Sequence, residues 1–227
     1  MIKLKVLSVL LAVIFFSGCV TAPKNVTKKD AFPKMYDENP KSILILPAVN
    51  KSTAAEATDY YATTIAEPLT QKGFYVLPMA ITTGLLKQEG IVDGAQLRNT
   101  DVSIFNKHFG ADAVLFVTIN EWKTSYVVVA GSVTVGIGFE LVSTKSGVTL
   151  WNYKNTLVVN TSGNSNNGGG LLGAIIATAI NTAMQDYVPI ARNVNHTATY
   201  MLPAGPYHRQ HNQDQLTAGY VEPVQTR

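Results

Sequence analysis

One cysteine, Cys19, is all that 227 residues contain, so no internal disulfide can form. Charge is also scarce. Asp, Glu, Lys and Arg make up 15% of the chain and the formal net charge is +3, which leaves none of the basic footprint that nucleic-acid binding requires. No apolar run reaches the roughly 18 residues of a membrane-spanning helix. No G-x-S-x-G elbow occurs, which removes the commonest serine-hydrolase arrangement. What is abundant is hydrophobic residue, 46% of the chain, enough at this length for one sizeable core.

The apolar stretch Val6 to Phe16 follows Lys3 and Lys5 and has the length of a secretory h-region. It ends in Phe16-Ser17-Gly18-Cys19, which resembles a bacterial lipobox, where a cysteine after small residues is lipidated and becomes the first residue of the mature chain. An ordinary signal peptide would favour an A-x-A-like site, and a lone exposed thiol in an oxidising compartment would be a liability. Residues 1–18 are therefore expected to be a lipoprotein signal peptide and Cys19 the lipidated anchor. Loss of those eighteen residues, two lysines among them, leaves 209 residues with a formal charge of +1. Several acyl chains on one residue exceed the two-signal threshold for stable membrane attachment. Val20, rather than aspartate, follows the cysteine, which in enterobacterial-type sorting marks outer-membrane delivery.

Residues 19–39, rich in lysine and punctuated by Pro23 and Pro33, carry no sustained period and suggest a flexible tether reaching at most about 70 Å. The folded part is expected over residues 40–200. Ser42 to Pro47 reads as a strand covered on both faces, Thr53 to Lys72 as a helix that kinks or ends at Pro68, and Phe74 to Leu77 as a second strand. Helical segments around Ile81 to Gln88 and Ser103 to Phe109, the latter stopped by Gly110, lead to a third strand, Ala113 to Ile119. Strict alternation from Val127 to Leu141 then signals a long half-buried strand with a bend or bulge at Gly131, Gly136 or Gly138. Thr144-Lys145-Ser146-Gly147 is turn chemistry, with Gly147 taking positive φ, and Val148 to Tyr153 returns as the partner strand. Residues 160–170 form an Asn/Ser/Gly loop, Leu171 to Val188 a helix, and 201–227 an extended C-terminal tail. The expected fold is a single three-layer-like α/β domain. Its mixed sheet has an early strand-helix-strand-helix-strand portion and a later antiparallel hairpin, and a C-terminal helix follows.

Ser42 to Pro47, Gly110-Ala111-Asp112-Ala113, the hairpin Phe139 to Trp151 and the run Leu202-Pro203-Ala204-Gly205-Pro206-Tyr207-His208 together resemble a family of Gram-negative lipoproteins of unknown function, typified by a meningococcal surface antigen. More distantly, the order of strand, G-A-D, strand and hairpin is similar to CsgG, TolB amino-terminal and LpoB-type domains. The resemblance implies no catalytic or ligand residues. It implies a non-catalytic binding or scaffold component of an outer-membrane transport or assembly complex, with other envelope lipoproteins, CsgG-like ones among them, as partners. Self-association is a further expectation. The alternative is a CsgG-like pore subunit in which the 127–141 segment enters a shared barrel; a periplasmic enzyme ranks third.

Other chemistry is thinly supported. Gly168-Gly169-Gly170-Leu171-Leu172-Gly173 matches G-x-G-x-x-G, but no strand runs into it and Asp186 comes too early for a dinucleotide site. His208, His211 and Asp214 are spaced three apart, with His196 upstream, in a tail that offers a metal no rigid frame. His108 precedes Phe109-Gly110 as a helix-end cation, and the pair Glu121-Trp122 is expected just past the third strand. No cofactor is expected. The segment chosen as an interaction helix is Leu171, Leu172, Gly173, Ile175, Ile176 and Ile180, where Gly169, Gly173 and Ala177 have small-xxx-small spacing.

Overall fold

The computed structural model describes residues 26–127, 130–160, 175–177 and 187–219. The signal peptide, Cys19, the glycine run 168–173 and most of the expected 171–188 helix lie outside them.

The described chain opens with two short helices, α1 (Lys28–Ala31) and α2 (Pro33–Glu38). Strands β1 (Ser42–Ile45) and β2 (Val49–Asn50) follow, then α3 (Ala57–Thr64) and α4 (Ala66–Gln71). The break between these helices sits three residues before Pro68, whose ring cannot donate to the preceding turn. Lys72-Gly73 ends α4 with Gly73 at φ +83°, and β3 (Tyr75–Val76), α5 (Met79–Gln88), a 3-10 turn (Gly94–Leu97) and α6 (Ser103–Phe109) come next. Gly110, at φ +67°, caps α6 in the left-handed conformation that glycine adopts without strain. Three long strands, β4 (Ala113–Val127), β5 (Ala130–Ser143) and β6 (Thr149–Asn160), precede β7 (Ile175–Ala177) and α7 (Val188–Thr199).

All strands share one mixed sheet in the order β3-β1-β4-β5-β6-β7, with β2 beside β4. β1 is parallel to both β3 and β4, while β4, β5 and β6 run antiparallel. Side chains alternate between two cores. Ile43 and Ile45 face α3, α4 and α7 through Tyr61, Ile65, Leu69 and Ile190, whereas Leu44 and Leu46 face Leu86, Leu97 and Phe105 on the other side. This is the α/β architecture expected, with a helix at its C-terminal side.

The third strand is about twice the expected length. It continues through Trp122 because β5 pairs with it along its whole course, and a bulge between Ile119 and Glu121 shifts the alternation by one residue. Trp122 thereby returns to the same core face as Val117 and Ile119 and lies buried beside Tyr60 and Tyr187, with ring centroids 5.7 and 6.4 Å away. Glu121-Trp122 is thus inside the strand rather than past it. The irregularity expected on the glycine-rich strand lies opposite it. Gly136 faces the bulge, where an added Cβ would come 3.2 Å from Glu121 Cβ.

Ile175 and Ile176, assigned above to a helix, are extended and pair in parallel with Val158 and Val159 of β6. An apolar run fits a strand or a buried helix equally, and the open edge of β6 decides for the strand. Small-xxx-small spacing has no helical meaning at Ala177. Leu171, Leu172, Gly173 and Ile180 lie outside the described residues.

Candidate functional site

Residues read as tether and as tail meet each other. Lys28 N–H donates to the Thr217 carbonyl at 2.9 Å, Lys29 N–H to Gln215 at 3.1 Å, and Gly219 N–H back to Val26 at 2.7 Å. Beneath this pairing Lys28 Nζ lies 3.1 Å from Asp214 Oδ2, the two side chains only 10% and 5% exposed. Asp214 also accepts from Tyr36 Oη at 3.1 Å and from Ala204 N–H at 2.9 Å, so the carboxylate has a partner on each side. Burial alone would raise the Asp214 pKa, but the Ala204 N–H, Lys28 and Tyr36 outweigh it and hold the acid below its ordinary range. Tyr36 is pushed up by burial and by that same carboxylate.

The run Leu202 to His208 locks this clasp onto the sheet. Gly205 N–H donates to the Lys72 carbonyl at 2.7 Å and Tyr207 N–H to Gly73 at 3.0 Å. A Cβ on Gly205 would meet the Gly73 carbonyl oxygen at 2.5 Å, and one on Gly73 would meet the backbone nitrogen of His208. Only glycine permits this approach of two backbones. Lys72 Nζ donates to the Tyr200 carbonyl at 2.7 Å; burial first, and the charge of Lys28 second, lower its pKa to about 8.

The histidines belong to the same framework. His211 Nδ1 pairs with the Ala204 carbonyl at 3.0 Å, and His208 Nδ1 accepts from Gln210 N–H at 3.1 Å. Asp214 is committed to Lys28, so the three-residue spacing falls within a turn-rich clasp. His196 lies on α7, 3.7 Å from Glu67, and His108 ends α6 before Gly110. The G-A-D motif is structural too. Asp112 accepts from Lys41 N–H and Ser42 N–H at 3.0 and 3.2 Å and pairs with Lys145 at 2.8 Å, tying β1, β4 and the hairpin turn together.

The clasp sits at the amino ends of β1 and β3. At the opposite end, where Pro47 to Asn50 leave β1, a crevice of about 310 Å³ opens between α3 and α5, lined among others by Asn50, Thr58, Asp59, Thr83, Lys87 and Asp93. Its position has a topological cause. From β1 the chain passes over one face to β3 and then over the other face to β4, so the helices diverge at the carboxyl end of β1, the usual ligand position in open α/β sheets. Sequence inspection missed this site, because its residues come from four separate segments and none is distinctive alone.

The sheet and the clasp define a compact α/β domain in which residues 26–29 and 215–219 pair at one pole. The chain belongs to the family described as "Putative lipoprotein GNA1162-like", which it matches over residues 31–209. It is 31% identical over 176 residues to "Putative lipoprotein NMB1124/NMB1162" of Neisseria meningitidis serogroup B, covering 78% of this chain and 80% of the relative. The crystal structure of lipoprotein GNA1162 from Neisseria meningitidis aligns with 34% identity and a TM-score of 0.50 over 59% of this chain and 90% of that one. The C-terminal domain of LpoB from Escherichia coli aligns with 16% identity and a TM-score of 0.34 over 58% of this chain and 98% of that domain.

Proposed function

We infer that this protein is a non-catalytic docking scaffold of the Gram-negative envelope, held to the outer membrane through acylated Cys19 and facing the periplasm. Membership in a lipoprotein family supports the anchor, and Phe16-Ser17-Gly18-Cys19-Val20 supports its chemistry and destination. One observation carries the scaffold role: Val26, the residue nearest the anchor, is clasped at the amino end of β1, and the crevice opens at the carboxyl end of the same strand. Asn50 pairs with Ile119, six residues along β4 from Ala113, so the crevice stands about 20 Å from the clasp end of the sheet, and β4 runs on for eight residues beyond it. A partner, another envelope lipoprotein or a component of a transport or assembly complex, would meet Asp59, Thr58 and Lys87 without crossing the membrane-proximal end.

The pore alternative has no observation in its favour. Among the described residues the face of β4–β6 turned away from the main core carries Lys123, Thr134, Asn152, Lys154 and Thr156, not an apolar lipid-facing band. The test has two parts. Palmitate should label the wild type and not Cys19→Ser, with the label in the outer-membrane fraction. A photo-crosslinking residue at Asp59 or Lys87 should then give a discrete adduct in intact envelopes that the same residue at Arg209 does not give. An unlabelled wild type, or identical adducts from both poles, overturns the inference.

A further inference from the structure

The clasp shortens the tether. Six residues lie between Cys19 and Val26, and Val26 is already bonded to Gly219, so the folded pole stands at most about 25 Å from the lipidated residue whatever path those residues take. That reach is shorter than the domain. The same pole exposes large apolar side chains that the core does not use: Leu216 is 84% exposed, Tyr200 69% and Tyr207 68%. Leu216 lies between the two residues whose carbonyls accept from Lys28 and Lys29, directly beside the point where the anchor strand enters. Tyr207 follows the Gly73–Gly205 contact in the same clasp. Exposed cations Lys29 and Arg209 accompany them, and exposed Asp30 offsets part of that charge.

A leucine and tyrosines beside lysine and arginine suit the boundary between headgroups and acyl chains, where an amphipathic ring keeps its hydroxyl wet while its body leaves water. We propose that this clasp pole is a membrane-docking surface, seated on the bilayer that holds the anchor, with Leu216 and Tyr207 entering the headgroup region. The lipid then supplies permanence and the clasp supplies orientation, turning the crevice away from the membrane. Because Asp30 dilutes the basic charge, apolar insertion dominates and added anionic lipid changes the depth little. The proposal rests on the acylation of Cys19.

The experiment uses that acylation. In lipidated protein the only native thiol is consumed, so Leu216→Cys, Tyr207→Cys and Val92→Cys each provide one labelling site; Val92 is 67% exposed and borders the distal crevice. Each variant, carrying a polarity-sensitive fluorophore, is reconstituted into phosphatidylethanolamine/phosphatidylglycerol vesicles and challenged with nitroxide-labelled lipid. Expected are blue-shifted emission and at least twofold quenching at positions 216 and 207, and neither at 92. If the protein floats with the vesicles and positions 216 and 207 behave like 92, docking is overturned while the anchor stands. A blue shift without lipid quenching means that protein covers the pole, which also overturns it. Failure to float overturns the anchor and this proposal together.

Discussion

The Lys28–Asp214 pair is the most consequential contact that a single substitution can break. Lys28→Met strands a buried carboxylate together with Tyr36 and Ala204 N–H, and removal of one member of such a pair costs about 3–5 kcal/mol. Urea unfolding should show that loss, and Lys28→Met/Asp214→Leu should recover much of it. Asp214 and Asp112 are held below their ordinary pKa in the folded state, so the stability they confer is present above the unfolded value near ~3.9 and is lost as pH falls through the lower folded values. Lys72 has the opposite sign of consequence. Its folded pKa of about 8 lies below the free value of 10.5, so between them the unfolded chain binds the extra proton and stability rises with pH. Lys72→Met should abolish that alkaline rise in a pH-resolved melting series. Among the described residues neither Tyr61 Oη nor Trp151 Nε1 finds a hydrogen-bond partner. Tyr61→Phe should therefore leave the fold intact and raise its stability by about 1 kcal/mol in chemical denaturation.

At the level of elements, the β4 bulge shows how one residue decides which face a strand presents. Deleting Asn120 would remove the extra residue and leave Trp122 in regular alternation with Val117 and Ile119, still on the face of Tyr60 and Tyr187. Tryptophan emission of that variant should stay at the wild-type wavelength; a shift to the red would mean that Trp122 needs the bulge to reach its place. Much of this level was legible in the sequence. β1, α5, α6, the Gly110 cap and the Gly147 turn were all expected, because each rests on local signals such as an unbroken apolar run, a helical period or a glycine needing positive φ. The bulge was expected on the wrong strand of the right pair. The glycines that accommodate it are visible in the sequence, while the extra residue facing them looks like any other.

For the whole molecule, the clasp fixes how far a lipid on Cys19 would stand from the fold. Residues 28–38, within the segment expected to be a long tether, fold into α1 and α2, with Phe32 and Met35 in the main core and Glu38 accepting from Ser146 on the hairpin turn at 2.6 Å. A lipid on Cys19 would be left about a third of the reach that a flexible 19–39 segment allows. Filling the distal crevice without disturbing the clasp is the matching test at this scale. Ala55→Trp, at an exposed lining position, should leave thermal unfolding and vesicle flotation unchanged while abolishing the crevice-directed adduct.

Taken alone, the amino-acid sequence determined the class of the molecule. The lipobox-like run, the alternating order of strands and helices, the near-neutral balance and the family-specific L-P-x-G-P-Y-H segment all depend on neighbours within a few residues. The tertiary structure alone decided how the ends of the chain are used. Lys28 and Asp214 stand 186 residues apart, and nothing local distinguishes either from a solvated charge. The strand at Ile175–Ala177 likewise depends on an unpaired edge of β6, because an apolar stretch takes the conformation whose backbone bonds a neighbour can complete.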